Sequence, residues 1–267
     1  MGPTTKQFLQ RALGTILRVT RLQYLPVRVR RGLLSGARWT LYPWTAYWRG
    51  DYESEVARAI LAWGDLRGKV CWDLGAHFGY YSVAFAQRTG PGGQVVAVEP
   101  LPSNYARLER HRRMNRMPWL ITQQCAASDV SGVADFFNDL REGDTTVHLA
   151  YDGEVKTPDT PIIPVRTVRL DDLVANGTIR PPDFIKIDVE GHGYHALRGA
   201  IDSIRLTRPV ILMGFHSPQE VDGTEELLRP LGYQFTAVGP RDPLHRIGAD
   251  YVLQIPAPAA VTSHSIP

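Results

Sequence analysis

The chain contains little cysteine and no long apolar run. Two cysteines, Cys71 and Cys125, occur among 267 residues, which is too few for a disulfide framework and fits a reducing compartment. No segment approaches the roughly 18 apolar residues of a spanning helix. With 43% hydrophobic and 21% charged residues, the composition also excludes a disordered, collagenous or coiled-coil chain. A globular cytoplasmic protein is expected.

Acidic residues are absent from the first 50 positions. That segment holds nine basic side chains, whereas residues 51–267 hold 21 basic and 27 acidic ones and carry a net charge of −6. Apolar residues recur at helical spacing over 5–22, which predicts a basic amphipathic helix. The favoured interpretation packs this arm, residues 1–50, on the body. Peripheral contact with the inner face of an anionic membrane is the alternative.

An aromatic cluster ends the arm, formed by Trp39, Tyr42, Trp44, Tyr47 and Trp48. Aromatic side chains dominate the energetics of cores and interfaces. The favoured interpretation is a hydrophobic seal between arm and body. Stacking on a sugar, or a cover over a cofactor, is the alternative.

From residue 51 onward, helical and strand patterns alternate. This alternation predicts an α/β three-layer sandwich with a mostly parallel sheet, in one domain over residues 51–255. A polar, proline-containing stretch at 139–164 is expected to be a mobile insertion, and residues 256–267 a disordered tail. The predicted strands are 70–74, 94–98, 119–124, 184–189, 210–215, 233–238 and 251–255, with extra strands near 134–137 and 165–170; the predicted helices are 53–63, 80–87, 102–115, 194–205 and 220–230.

A strand, loop, helix and second strand carry the first chemical signal. Asp73 ends the first strand, Gly75 and Gly79 open the loop to a ligand, and Glu99 ends the next strand, where it can accept the hydroxyls of a ribose. The middle glycine of a dinucleotide fingerprint is absent, since Ala76 and His77 lie between the two glycines. An aspartate at this strand end suits a cationic ligand, so S-adenosylmethionine is favoured over a dinucleotide.

A second motif, Lys186-Ile-Asp-Val-Glu-Gly191, follows a later strand. Together with Asp73-Leu-Gly-Ala-His-Phe-Gly-Tyr-Tyr-Ser82, Val98-Glu-Pro100 and Leu197-Arg-Gly199, it resembles the FkbM family of S-adenosylmethionine-dependent methyltransferases. The likeness covers about residues 50–216. It implies a seven-stranded class I methyltransferase fold and O-methylation of a sugar, glycolipid or polyketide-like small molecule.

The resemblance also implies roles for individual residues. The methionine end is expected at Asp73, Gly75, His77 and Gly79, the ribose at Glu99, and the adenine near Ala127 and Ser128. Tyr81, Pro100 and Asp188 are also expected to bind the cofactor, and Lys186, Asp188 and Glu190 are expected to face the methyl-transfer site. The chain departs from the family pattern twice, with Gly193 and Gly214 where members commonly carry glutamate.

A hydroxyl acceptor must lose a proton, so a base is needed. His192 follows the acidic strand end and His216 ends the next strand, so both could face one cleft. We hypothesise that His192 is the base, with Asp188 orienting either His192 or the acceptor, because an ordinary histidine titrates near pH 6.5. A Lys186 of lowered pKa is the second candidate, and its pairing with a neighbouring acid is the alternative. Asp188 and Glu190 are expected to diverge, and no metal is predicted.

Two other functions compete with the methylation of a small molecule. The basic arm could hold RNA in an RNA methyltransferase, although no RNA-binding module is visible and nucleic acid is not the expected partner. Gly193 and Gly214 could instead mark a non-catalytic scaffold that binds S-adenosylmethionine.

Overall fold

A computed structural model describes residues 24–41, 47–50, 52–138, 147–149, 162–239 and 247–256. The predicted helix at 5–22 and its membrane contact lie outside these residues, as do the tail beyond 256 and most of the predicted insertion. Within the described part of the chain, no helix combines the length and the apolar character needed to cross a membrane.

A seven-stranded sheet forms the centre of the molecule. Its strands, in chain order, are β3 (Val70–Leu74), β4 (Gln94–Val98), β5 (Leu120–Gln123), β10 (Phe184–Ile187), β11 (Val210–Phe215), β12 (Gln234–Ala237) and β13 (Ala249–Gln254). The spatial order is β12-β13-β11-β10-β3-β4-β5. β13 runs antiparallel to both of its neighbours, β11 and β12, and every other neighbouring pair is parallel. The predicted class I methyltransferase fold is therefore confirmed.

Helices cover the sheet because alternate strand residues face opposite sides. Val95 and Ala97 join one hydrophobic cluster, whereas Val96 and Val98 join the other. The helices are α1 (Ser54–Leu61), α2 (Tyr80–Thr89), α3 (Pro102–Met114), α4 (Leu170–Ala175), α5 (Gly193–Arg198), α6 (Ile201–Thr207) and α7 (Pro218–Leu228).

The prediction of one continuous helix over 194–205 was wrong. The structure divides it into α5 and α6 at Gly199 and Ala200. A Cβ atom on Gly199 would lie 1.9 Å from the carbonyl oxygen of Ser128. Glycine therefore allows the loop after Ala127 to pack tightly against the break.

A smaller four-stranded sheet occupies part of the stretch between β5 and β10. It comprises β6 (Ala126–Ala127), β7 (Gly132–Asn138), β8 (Val147–Leu149) and β9 (Ile162–Val168), in the order β6-β9-β7-β8. Both predicted extra strands are present as β7 and β9. The short strand β8 lies inside the predicted insertion and was not predicted.

The described part of the arm belongs to the core. Strands β1 (Pro26–Arg28) and β2 (Arg38–Thr40) form a hairpin, and Trp39 is fully buried, with its ring stacked 3.6 Å from that of His111 on α3. His111 in turn contacts Thr40 Oγ1 at 2.8 Å and donates from Nδ1 to the carbonyl oxygen of Phe78. The stacking of Trp39 on His111 agrees with the predicted hydrophobic seal between arm and body. Tyr42 and Trp44, two other members of the aromatic cluster, lie outside the described residues.

Candidate functional site

The loop after β3 lies at the carboxyl edge of the parallel strands. The backbone N–H groups of Gly75 and Ala76 both donate to the carbonyl oxygen of Val98, which fixes the loop to β4. Gly75 has φ +81°, and a Cβ there would lie 1.9 Å from the backbone oxygen of Asp188. Gly79 has φ +86° and precedes the first turn of α2. Glycine at position 75 thus places the loop directly against the end of β10.

Asp73 places a buried acceptor beneath this loop. The residue is 1% exposed, and its Oδ2 atom accepts a hydrogen bond from Ser82. The other oxygen, Oδ1, is buried without a hydrogen-bond partner. Burial raises the pKa of the Asp73 carboxyl, against the opposing effects of Lys186 and the Ser82 hydrogen bond. An unpartnered carboxylate oxygen fits a ligand that brings a donor or a positive charge.

Glu99 is the second buried carboxylate of the site, at the end of β4. Its Oε2 atom accepts the His77 backbone N–H at 2.7 Å, and its Oε1 atom accepts the Leu101 N–H at 3.0 Å and the Asn104 amide at 3.3 Å. Burial raises the pKa of Glu99 to about 7, although the three donors lower it. Glu99 therefore fixes the loop, and Pro100 follows it at the half-buried surface.

His77 connects the loop to the N-terminal segment. It adopts a left-handed conformation with φ +51°, and its Nδ1 atom lies 3.1 Å from the hydroxyl of Tyr47. Burial lowers the pKa of His77 to about 4, so the ring is neutral at physiological pH. Tyr47, one of the predicted aromatic cluster, thus contacts the loop expected to hold a cofactor.

Lys186 lies inside the site as a buried cation. Its Nζ atom lies 3.2 Å from Asp188 Oδ2 and 4.6 Å from the centre of the Tyr81 ring. Tyr81 donates its hydroxyl proton to the carboxylate of Glu53. Burial alone would lower the pKa of Lys186, but Asp188, Asp73 and Glu53 raise it overall. The interpretation of Lys186 as a base of lowered pKa was therefore wrong, and the alternative, pairing with Asp188, is present.

His192 lies on a different side of the site from the one expected. Its Nε2 atom is 3.0 Å from Ser128 Oγ, and its ring stacks on that of His195 at 4.6 Å. Burial lowers the pKa of His192 to about 4. The carboxylate of Asp188 instead faces Lys186 and His216. The predicted orientation of His192 by Asp188 was wrong, because the chain turns after β10 and carries His192 toward the β6 loop.

Ala127 ends β6, and Ser128 begins the loop that follows it. Both are buried, at 3% and 6% exposure, and Ser128 donates its backbone N–H to the carbonyl oxygen of Val168. Their predicted proximity to an adenine stays a prediction.

The ends of β10 and β11 bring together Asp188, Glu190 and His216. The Nε2 atom of His216 lies 3.5 Å from Asp188 Oδ1 and 3.8 Å from Glu190 Oε2. The expected divergence of the two carboxylates was wrong, because residues two apart share a face of an extended chain and Glu190 turns with φ +48°. The sequence placed His216 at the end of a parallel strand, facing the same cleft, but no catalytic or ligand role was predicted for it.

Acidic side chains from other elements lie close to Gly193 and Gly214, the two positions where the resemblance implies glutamate. A Cβ on Gly193 would lie 2.6 Å from Glu220 Oε1, and a Cβ on Gly214 would lie 3.3 Å from Asp250 Oδ1. Glu220 is on α7, and Asp250 is the β13 partner of Gly214. The site therefore keeps its acidic character despite Gly193 and Gly214.

Comparison with known proteins identifies the family of this chain. The model of the methyltransferase FkbM domain matches residues 73–235, more than half of the chain. The chain belongs to the FkbM methyltransferase family. The cofactor of this FkbM domain is S-adenosylmethionine, which agrees with the orphaned Asp73 oxygen and the Gly75 loop.

Two curated relatives are similar to this chain in sequence. The hexuronic acid methyltransferase AglP of Haloferax volcanii is 27% identical over 161 residues, which cover 60% of this chain and 61% of the relative. The 31-O-demethyl-FK506 methyltransferase FkbM of Streptomyces tacrolimicus is 32% identical over 207 residues, which cover 66% of this chain and 76% of the relative. The chain thus spans less than two thirds of the length of the Haloferax protein.

Solved structures give weaker likenesses. The methyltransferase FkbM of Methylobacillus flagellatus has a TM-score of 0.48 at 20% identity, over 69% of this chain and 43% of that one. The O-methyltransferase of Bacillus cereus also has a TM-score of 0.48, at 13% identity, over 95% and 92% of the two chains.

Proposed function

We propose that the protein transfers a methyl group from S-adenosylmethionine to a hydroxyl oxygen of a sugar, glycolipid or polyketide-like small molecule. One observation carries the proposal: Gly75 packs against Asp188, so the loop expected to hold the cofactor adjoins the polar cluster at the ends of β10 and β11. The names of the two curated relatives, which refer to hexuronic acid and to 31-O-demethyl-FK506, support an oxygen acceptor.

In this proposal, the residues of the carboxyl edge divide the cofactor among them. S-adenosylmethionine supplies an electrophilic methyl group on a sulfonium ion. The Oδ1 atom of Asp73 accepts a donor of the methionine end, and Glu99 exchanges part of its internal hydrogen bonding for the ribose hydroxyls. The other residues proposed to line the cofactor are Gly75, His77, Gly79, Tyr81, Pro100, Ala127 and Ser128.

The acceptor is proposed to lie against Asp188 and the end of β11. Asp188 is held by Lys186, so its Oδ1 atom has a fixed direction and can accept a hydrogen bond from the acceptor hydroxyl. Such positioning of two reactants contributes up to roughly 7–11 kcal/mol in favourable intramolecular reactions. Asp188 contacts Lys186 and His216, whereas His192 contacts Ser128. A catalytic role for His192 would therefore be independent of this carboxylate.

Turnover with labelled methyl donor tests the function. The full chain would be incubated with methyl-labelled S-adenosylmethionine and a panel of uronic acid glycosides, neutral glycosides, glycolipids, macrolide alcohols and RNA. We expect label in a hydroxyl-bearing small molecule. Label in RNA alone would support an RNA methyltransferase, and cofactor binding without any labelled product would support a non-catalytic scaffold.

A matched pair of variants ties turnover to the site. Asp73→Asn removes the charge of the buried acceptor, whereas Asp65→Asn changes an aspartate that is half-exposed and pairs with Arg67 at the surface. Product formation should fall at least tenfold in the first variant and stay unchanged in the second. Equal turnover in both would contradict the assignment of Asp73.

A further inference from the structure

His216, Asp188 and Glu190 present three metal-binding side chains to one point. One ligand atom from each lies within 4.8 Å of the others. Donors bound at about 2.0–2.2 Å to a common ion lie about 3.0–3.5 Å apart, and the distances from His216 Nε2 are 3.5 and 3.8 Å. The side chains are 26–40% exposed, so an ion can enter from solvent after small rotations.

Lys186 fixes the direction of the Asp188 carboxylate. Its buried ammonium group lies 3.2 Å from Asp188 Oδ2. The second oxygen, Oδ1, is the one that faces His216. Asp188 therefore directs one oxygen toward the lysine and the other toward the cluster.

Glu220 supports the imidazole from behind. It is a fully buried acid, and it accepts the backbone N–H groups of Gly193 and His216, both at 2.7 Å. Its Oε2 atom also lies 3.6 Å from His216 Nδ1. A carboxylate at this side of the ring favours the tautomer with the proton on Nδ1, which leaves the Nε2 lone pair directed at Asp188 and Glu190. Among the described residues, His216 Nδ1 makes no hydrogen bond. A small rotation would let it donate to Glu220, as metal-ligating histidines typically donate to a carboxylate.

We propose that His216, Asp188 and Glu190 bind one divalent cation. An imidazole together with two carboxylates suits Mn²⁺ or another first-row divalent ion better than Ca²⁺, which takes oxygen ligands only. Three protein ligands leave coordination positions open for water or for oxygens of a bound molecule. That those oxygens belong to the methyl acceptor rests on the proposed function, whereas binding of the ion does not.

The test measures Mn²⁺ binding to the full chain without cofactor or acceptor, from the electron paramagnetic resonance signal of free Mn²⁺. The wild type should bind one Mn²⁺ per chain. His216→Asn, Asp188→Asn and Glu190→Gln should each weaken the affinity at least tenfold. His195→Asn is the matched control, because His195 also contacts a carboxylate, Asp129 at 3.2 Å, outside the cluster; its affinity should equal that of the wild type.

Two results would overturn the site. One is the absence of saturable Mn²⁺ binding up to millimolar concentration, which would leave the cluster as a histidine–acid ion pair. The other is equal affinity in the wild type and Glu190→Gln, the most conservative of the three variants and the one to use if His216→Asn does not fold. Saturable Mn²⁺ binding without methyl transfer would count against the proposed function alone, and methyl transfer by a chain that shows no saturable Mn²⁺ binding would overturn this site alone.

Discussion

The raised pKa of Glu99 predicts a stability that falls as pH rises. An unfolded glutamate releases its proton near 4.5, whereas folded Glu99 keeps it up to about 7. Between these values the unfolded state binds fewer protons, so the free energy of unfolding falls with increasing pH. The slope is at most about 1.4 kcal/mol per pH unit, which gives an upper limit of about 3 kcal/mol across the window.

Urea unfolding of the wild type and Glu99→Gln from pH 4.5 to 8.5 isolates this contribution. Glutamine does not titrate, so the difference in unfolding free energy between the two proteins should change by about 1–3 kcal/mol up to pH 7 and level off above it. A difference that stays constant within about 0.3 kcal/mol over this range would refute the buried, protonated Glu99.

The same carboxylate predicts a pH-dependent affinity for the cofactor. If ribose hydroxyls donate to Glu99, they stabilise its ionised form, so binding releases a proton below pH 7 and tightens as pH rises. Calorimetry in buffers of different ionisation enthalpy should detect this proton in the wild type and lose it in Glu99→Gln. Identical proton release in both proteins would contradict the assignment of Glu99 to the ribose.

Three further substitutions probe the rest of the account. Gly75→Ala should lower the free energy of unfolding by more than about 2 kcal/mol and weaken cofactor binding, because its Cβ would overlap the backbone of Asp188. Gly64→Ala is the control, because Gly64 also has positive φ but open space around its Cβ. It should lower the free energy of unfolding by about 1 kcal/mol and leave cofactor binding intact. Trp39→Ala should cost about 3–5 kcal/mol in urea unfolding, as for a fully buried core aromatic; a loss below 1 kcal/mol would show that the hairpin is not part of the core. His192→Ala should retain a kcat within a few-fold of the wild type at neutral and alkaline pH, because His192 contacts Ser128 rather than Asp188. A thousandfold loss would instead support His192 as a base that acts without Asp188.

Local patterns were sufficient to predict most of the central sheet. The strands at 70–74, 94–98 and 210–215 have the predicted ends, because each is a mostly apolar run between polar, glycine or proline residues. The break at Gly199 was missed because it depends on the approach of Ser128, a contact across 71 positions that no local pattern records.

The proposed cofactor side of the site was more predictable than the proposed acceptor side. Asp73, Gly75 and Glu99 follow one another on a single strand–loop–helix–strand unit, so their spacing fixes their proximity. The proposed acceptor side combines Asp188 with His216 from β11 and Glu220 from α7. The packing of three elements decides those contacts. Sequence order shows only that His192 follows Asp188 closely in the chain, which is why His192 was predicted as its partner.

Calorimetric titration of the full chain with S-adenosylmethionine decides whether the chain binds this cofactor. We expect a single site, with affinity reduced at least tenfold in Asp73→Asn and unchanged in Asp65→Asn. A titration without binding heat in the wild type, reproduced by equilibrium dialysis with labelled cofactor, would contradict it.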